Sequence, residues 1–306
     1  MEYILRAEGI TKKYKDFTAL QNVSVELKPK KVYGLIGRNG AGKTTFMRII
    51  AGLSMQTSGN MELFGESEPK KIVKQLKRIG CLIEYPSLNG TMTALENLEL
   101  HRIMHGIKDK NRCKELLEMV GLEHTGKKKV KDFSLGMRQR LGIAVALLGN
   151  PDLLILDEPV NGLDPLGVVE IRNLIKELCE KNGITILISS HNLPELYQTA
   201  TDYIIIDKGQ VKATLTLEEL DEKCQKYFSI QCNDVNKLVK VLKEELKTDK
   251  FKIMGDNVVR LYGYETEQKM LAELFYKHGI ITEKFALEGS TLEDYFISMV
   301  GGENVD

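Results

Sequence analysis

Residues Gly37–Thr45 read GRNGAGKTT and follow directly on the apolar run Val32–Ile36. Gly37, Gly40 and Gly42 crowd one lysine, Lys43, with two hydroxyls, Thr44 and Thr45, immediately behind it. The pattern G-x-x-x-x-G-K-[ST] suits the binding of a triphosphate such as ATP. A loop of small residues (Gly37, Gly40, Ala41 and Gly42, with Arg38 and Asn39 between) lets backbone N–H groups turn inward around dense negative charge. A helix starting near Lys43 would aim its unpaired N–H groups and positive dipole end at the same anion. The Lys43 ammonium is the point charge for the β- and γ-phosphates, and the Thr44 hydroxyl is a ligand for Mg2+. The plainer reading is a glycine turn between strand and helix. The preceding strand and following helix supply the context that the phosphate reading needs.

Two later stretches extend this chemistry. In PDLLILDEP (Pro151–Pro159), four apolar residues run into Asp157 and Glu158. A buried parallel strand would carry both acids to its C-terminal end, where ligands bind in such sheets. Asp157 would hold the Mg2+ shell. Glu158, one residue further and pointing elsewhere, would take a proton from an attacking water. In DFSLGMRQRLGIA (Asp132–Ala144), Ser134 and Gly136 open a helix and make a second anion site from N-terminal N–H groups.

The elements that position these residues follow from the apolar pattern. Short strands are expected in Tyr3–Ile10, Val23–Leu27 and Lys31–Gly37, then a helix over 43–51. Helical patterns follow at 69–77, 93–105, 111–120 and 135–148, with a strand, IGCLI, ending before Glu84. Next come strand 153–157, helix 165–181, strand 184–189, helix 192–199 and strand 203–207. Apolar strands alternating with helices predict an α/β domain built on a parallel sheet, over residues 1–215. Residues 216–306 change rhythm: strand 226–232, helix 234–246, strands 251–254 and 257–262, helix 265–278, strand 280–287. That order is β-α-β-β-α-β, a small α+β, ferredoxin-like accessory domain. A last helix, capped by Ser290 or Thr291, would close the chain.

At Phe133–Met137 a resemblance becomes specific. FSLGM resembles the LSGGQ signature of ABC (ATP-binding cassette) ATPases, with Leu135 in place of the first glycine and Met137 in place of the glutamine. The resemblance implies a P-loop ABC domain with a mixed sheet and a helical subdomain. It also implies a head-to-tail dimer, of this chain or with a paralogous cassette, holding two composite ATP sites. In it, Ser134 and Gly136 of one subunit would close over the γ-phosphate on the P-loop of the other. NGLDP (Asn161–Pro165) is similar to the D-loop, with Asp164 at the dimer contact. His191, in ISSHNLPEL, is similar to the H-loop histidine that contacts the γ-phosphate and positions water. Tyr14 matches the aromatic that stacks on adenine; its bland reading is a strand-edge aromatic, and Phe17 competes for the role. One position departs: where the family carries a glutamine that ligates Mg2+, this chain has Glu84. A carboxylate there would ligate Mg2+ more strongly and repel the phosphate, so altered Mg2+ dependence and slower hydrolysis are expected. Details such as IEYP, and the tail FALEGSTLEDYFISMVGG, resemble the bacitracin-resistance and lantibiotic-immunity ATPases, which serve a separate membrane permease.

Bulk properties narrow the field. The 306 residues are 42% apolar and 28% charged with zero net charge, so no overall field favours nucleic acid. No stretch approaches the ~20 apolar residues of a membrane span, and the opening MEYILRAEG is too polar for a secretory signal. The expectation is a peripheral subunit on the cytoplasmic face of the membrane. Motion would reach the permease through the region after Glu84, including Tyr85–Leu98. Five unpatterned cysteines fit inert thiols. A soluble ABC ATPase acting on translation or DNA would bring a second cassette or long heptads. A GTPase would bring Asn-Lys-x-Asp, and a kinase would not need Ser134–Gly136. A regulatory nucleotide sensor with little turnover is kept open by Glu84.

Overall fold

The computed structural model describes residues 2–84, 86–255, 257–289 and 291–300. The chain divides into two compact units, Met1–Leu217 and Glu218–Asp306.

The first unit opens with β1 (Leu5–Tyr14) and β2 (Phe17–Leu27), an antiparallel pair, followed by β3 (Val32–Ile36) and α1 (Lys43–Ile50). Strand β4 (Ser58–Leu63) returns to β1 and completes a three-stranded antiparallel sheet, ordered β2-β1-β4. Then come α2 (Pro69–Gln75), β5 (Ile79–Leu82), α3 (Ala94–Met104), α4 (Arg112–Met119) and α5 (Leu135–Ala146). They lead to β6 (Leu153–Asp157), α6 (Pro165–Glu180), β7 (Thr185–Ser190), α7 (Leu193–Tyr197), β8 (Asp202–Asp207) and β9 (Gln210–Thr216).

The main sheet runs β5-β6-β7-β3-β8-β9. Every residue of β3, β6, β7 and β8 is buried, which is why these strands read as near-continuous apolar runs. The sheet is mixed, as the resemblance implies, and not wholly parallel as the alternation of strands and helices alone predicts. Strand β9 pairs antiparallel to β8, and the β1–β2–β4 sheet is antiparallel throughout. The β8–β9 turn is a two-residue hairpin, Lys208 and Gly209, both with positive φ (46° and 74°). That conformation suits the right-handed twist of the strands, but lysine at the first position gives no signal for it. Helix α7 is also shorter than the 192–199 reading, with Asn192 as its N-cap.

Helix α1 sits in the core between the two sheets. Phe46, Met47, Ile49 and Ile50 join Leu5, Ile10, Leu20, Leu35, Ile155 and Ile204 in one buried cluster. Burying each large side chain contributes about 1.5–3 kcal/mol, so α1 and the loop before it have a rigid footing. Helices α3, α4 and α5 pack on one another as a helical layer. Thr93 and Glu96 form a capping box at the start of α3. Asn97 is wholly buried; its Oδ1 accepts from the Asn89 N–H at 2.7 Å, and its Nδ2 donates to the carbonyls of Asn89 and Thr93 at 3.1 and 2.9 Å.

The second unit takes in most of α8 (Leu217–Cys224), then β10 (Tyr227–Cys232), α9 (Val235–Glu244), β11 (Phe251–Ile253) and β12 (Val258–Tyr262). It ends with α10 (Gln268–Lys277), β13 (Thr282–Glu288) and α11 (Leu292–Val300). Its sheet is antiparallel, ordered β11-β12-β10-β13, so the first strand of the β-α-β-β-α-β run lies inside. Phe228, Ile230, Leu238, Leu242, Leu261 and Phe275 are in its core. Thr291 caps α11, accepting from the Asp294 N–H at 3.1 Å; the other candidate, Ser290, lies outside the described residues.

Candidate active site

Strand register assembles the site. Asp157 on β6 stands opposite Ser189 on β7, and Ser190 on β7 opposite Ile36 on β3. The C-terminal ends of three neighbouring parallel strands therefore release Glu158, His191 and the loop 37–42 side by side. Residues 33 apart or more in sequence meet because the strand order is β6-β7-β3.

The glycines of the loop act through the protein as well as through any ligand. A Cβ at Gly37 would lie 2.4 Å from the Ile206 carbonyl on β8. At Gly42, where φ is 106°, it would lie 2.7 Å from Leu20 Cδ2 and 2.8 Å from the Ala19 carbonyl. Both glycines are thus demanded by packing against neighbouring strands, rather than by clearance for phosphate alone as the sequence suggests. Gly40 is open on all sides and is demanded by its φ of 80°. Arg38, Asn39 and Gly40 are exposed, and Ala41 is buried. Gly42 is the N-cap of α1 and no side chain caps that end, so it faces the loop as a donor-rich terminus. Lys43 is buried; its Nζ donates to the Gly37 carbonyl at 2.7 Å and lies 3.4 Å from Glu158 Oε1.

The acids are held by hydroxyls. Thr44 Oγ1 donates to Asp157 Oδ2 at 2.7 Å, and Ser189 Oγ donates to Asp157 Oδ1 at 2.5 Å. Ser189 Oγ also accepts from the Glu158 N–H at 2.9 Å. Glu158 has φ of 49°, a left-handed backbone that turns its side chain off the strand line. Its Oε2 lies 2.8 Å from His191 Nδ1, so one carboxylate touches both Lys43 and His191. Among the described residues no group of three or more His, Cys, Asp or Glu could cage a metal. One carboxylate and one hydroxyl, Asp157 and Thr44, are nevertheless the hard oxygen donors that Mg2+ takes when phosphates and water complete its shell. The residues fit that ion.

Ser189 was not among the residues singled out from sequence. Its only signal there is a pair of hydroxyls, Ser189–Ser190, ending an otherwise apolar strand. Ser189→Ala is expected to lower ATP turnover ~10-fold, the cost of one hydrogen bond to a charged group, and to raise the half-saturating Mg2+ concentration. A Mg2+ titration of phosphate release checks this; unchanged turnover at every Mg2+ concentration would refute it.

The other sequence-selected residues lie around this centre. Thr45 is half-buried in the first turn of α1. Glu84, with φ of 66°, is paired with Arg48, Nη2 to Oε1 at 2.5 Å, and its residue lines a cavity of about 670 Å³ shared with Asp157, Glu158, Leu135 and Asn161. Ser134 is the N-cap of α5, accepting from the Met137 N–H at 3.2 Å, with Gly136 in the first turn. Among the described residues, no hydrogen bond joins Ser134 or Gly136 to Lys43, Thr44 or Asp157 of the same chain. Asp164 caps α6, accepting from the Gly167 N–H at 3.0 Å. Tyr14 ends β1 in register with Phe17; both rings are exposed, and Lys12 Nζ lies 4.8 Å from the Tyr14 ring centroid.

The family described as "ABC transporter" matches residues 20–161. The bacitracin transport ATP-binding protein BcrA of Bacillus licheniformis is 41% identical over 305 residues, covering 100% of both chains. The lantibiotic transport ATP-binding protein SrtF of Streptococcus pyogenes is 42% identical over 208 residues, 68% of this chain and 89% of that one. Among solved structures, cbiO1 of Clostridium perfringens, part of the ABC transporter complex cbiONQ, is similar with a TM-score of 0.67 at 28% identity, covering 73% of this chain and 92% of that one. The ATP-binding cassette MJ0796, a dimer in a post-hydrolysis state bound to ADP and Pi, gives a TM-score of 0.62 at 28% identity, covering 70% of this chain and 98% of that one.

Proposed function

This chain belongs to the ABC transporter family as an ATP-binding, ATP-hydrolysing subunit, and from that premise we propose that it drives a separate membrane permease that exports peptide antibiotics. The observation that carries the site assignment is Glu158, held by Lys43 on one side and His191 on the other at the mouth of the phosphate loop.

The roles follow from charge and reach. Lys43 and the N-terminus of α1 receive the β- and γ-phosphates, and Lys43 exchanges Glu158 and the Gly37 carbonyl for phosphate oxygens. Thr44 and Asp157 would hold Mg2+, which neutralises charge on the phosphate oxygens when bound. Glu158 takes the proton of the attacking water, and His191 fixes its carboxylate through Nδ1. Tyr14 supports adenine by stacking, which reads base identity weakly. Ser134 and Gly136 act on the phosphate of a second cassette. That arrangement is a head-to-tail dimer, of this chain or with a paralogue, with Asp164 at its contact.

Among the described residues no helix is long and apolar enough to cross a membrane, so the pore must come from the partner. The proposed contact is the region after Glu84, including Tyr85–Leu98, whose last residues lie in α3. Tyr85 lies outside the described residues. Leu95, Leu100, Ile103 and Met104 are exposed along α3, an apolar surface suited to a permease. The chain would then sit peripherally on the cytoplasmic face of the membrane. Residues 216–306 are proposed as a ferredoxin-like accessory domain. The cargo class rests on BcrA and SrtF, whose names describe bacitracin and lantibiotic transport.

The test is co-purification. Tagged chain is expressed in its host, membranes are solubilised in mild detergent, and stoichiometric partners are identified. A polytopic membrane protein, whose deletion with this chain sensitises cells to a peptide antibiotic, is the expected result. Active ATPase with only soluble partners, or none, would overturn the transport reading in favour of a soluble or regulatory ABC ATPase.

A further inference from the structure

Arg48 is one turn beyond Thr44 on α1, so the two share a helix face. That face is not the one buried in the core, where Phe46, Met47, Ile49 and Ile50 point. Arg48 meets Glu84 at 2.5 Å, and the Glu84 backbone holds a φ of 66° that a glutamate rarely adopts. Glu84 borders the same cavity as Asp157 and Glu158, so a third carboxylate stands close to the two acids beside the phosphate loop. Lys43 lies against Glu158; Lys131 and Arg138 also line that cavity, Arg138 bonded to the Phe133 carbonyl at 2.5 Å, but the ion pair to Glu84 is made by Arg48. Arg48 is the cation matched to Glu84.

We propose that Arg48 is a positioning residue: it holds the Glu84 carboxylate one turn behind Thr44 and cancels its charge, so that the pair together presents a neutral group to the incoming triphosphate. This rests on the phosphate-site reading above. It also changes the expectation for Glu84, because a paired carboxylate does not repel phosphate as a free one would. Both side chains are partly exposed, 41% for Arg48 and 57% for Glu84, so the pair adds little to stability. Its effect is on anion binding, where one uncompensated charge acts through partly screened water.

The experiment is a double-mutant cycle on the full chain: wild type, Arg48→Gln, Glu84→Gln and the double variant, with Arg48→Lys as the conservative control. The readout is equilibrium binding of a fluorescent methylanthraniloyl-ATP in EDTA, where no Mg2+ intervenes. Arg48→Gln is expected to weaken binding about fivefold. The double variant should bind within twofold of Glu84→Gln alone, and Arg48→Lys should stay near wild type. An equal loss from Arg48→Gln in both backgrounds would mean that Arg48 acts on the nucleotide or on α1 directly, and would overturn the proposal. So would no loss in either background, which would leave an ordinary surface pair. Thermal unfolding of each variant without nucleotide controls for the fold. A wild-type chain that fails to bind the analogue would sink the phosphate-site reading and this inference with it. Normal wild-type binding without coupling would sink this inference alone.

Discussion

Glu158→Gln is expected to cut ATP turnover by roughly a thousandfold while ATP still binds within a few-fold of wild type. The amide keeps the shape of the side chain and an oxygen that can accept from Lys43, now 3.4 Å from Oε1. It loses the basicity needed to take a proton from water. The backbone N–H of residue 158 still donates to Ser189, so Asp157 and its hydroxyl partners stay in place. Removing a negative charge beside Lys43 also frees that ammonium for phosphate. Bound ATP should therefore accumulate, and the proposed head-to-tail dimer should persist by size-exclusion chromatography in ATP and Mg2+. Phosphate release in excess ATP gives the rate, and binding of a fluorescent ATP analogue gives the affinity. Turnover within threefold of wild type would mean that another group is the base.

Lys43→Ala is expected to fail one step earlier. Lys43 is 6% exposed, and its ammonium is the cation seated within the loop, bonded to the Gly37 carbonyl. Without it, the Glu158 carboxylate loses its ammonium partner and repels the triphosphate. Charge-assisted hydrogen bonds of this kind are worth about 1.5–3 kcal/mol each, so affinity for ATP should fall at least ~100-fold and turnover with it. Lys43→Arg should not rescue, because a planar guanidinium does not fit a point-charge seat closed in by Gly37 and Arg38 carbonyls. The two variants separate binding from chemistry: Glu158→Gln binds and does not turn over, and Lys43→Ala does neither. Binding by Lys43→Ala within threefold of wild type would refute the seat assigned to this lysine.

What could be read from the residues was whatever chemistry is local in the chain. GRNGAGKTT carries its own strand, loop and helix start, and the apolar run into Asp157 and Glu158 announces a buried strand end. Ser134 capping α5 was equally legible, since a cap and its helix are neighbours. Non-local facts were not. The reason for Gly37 is a carbonyl on β8, far along the chain, and that for Gly42 is a contact with β2. Ser189 matters because of its register with Asp157, which no local pattern records. Arg48 carries no signal of its own in the sequence; only the fold brings Glu84 to it. Strand β9 was hidden because its turn uses Lys208, where a left-handed backbone is usually flagged by Asn, Asp or Gly.

The buried Asn97 amide has a mechanical consequence. Its three hydrogen bonds rivet residues 89–93 to the first turn of α3. Pulling them apart would strand buried polar atoms at about 1–3 kcal/mol apiece. A push delivered at Asn89 is therefore not absorbed as slack in a loop; it is passed to α3 as to one rigid piece. The helix has 11 residues, a lever of about 16 Å, with Ile103 and Met104 exposed at its far end. A displacement of residues 89–93 would thus be carried along the helix to that exposed apolar tip.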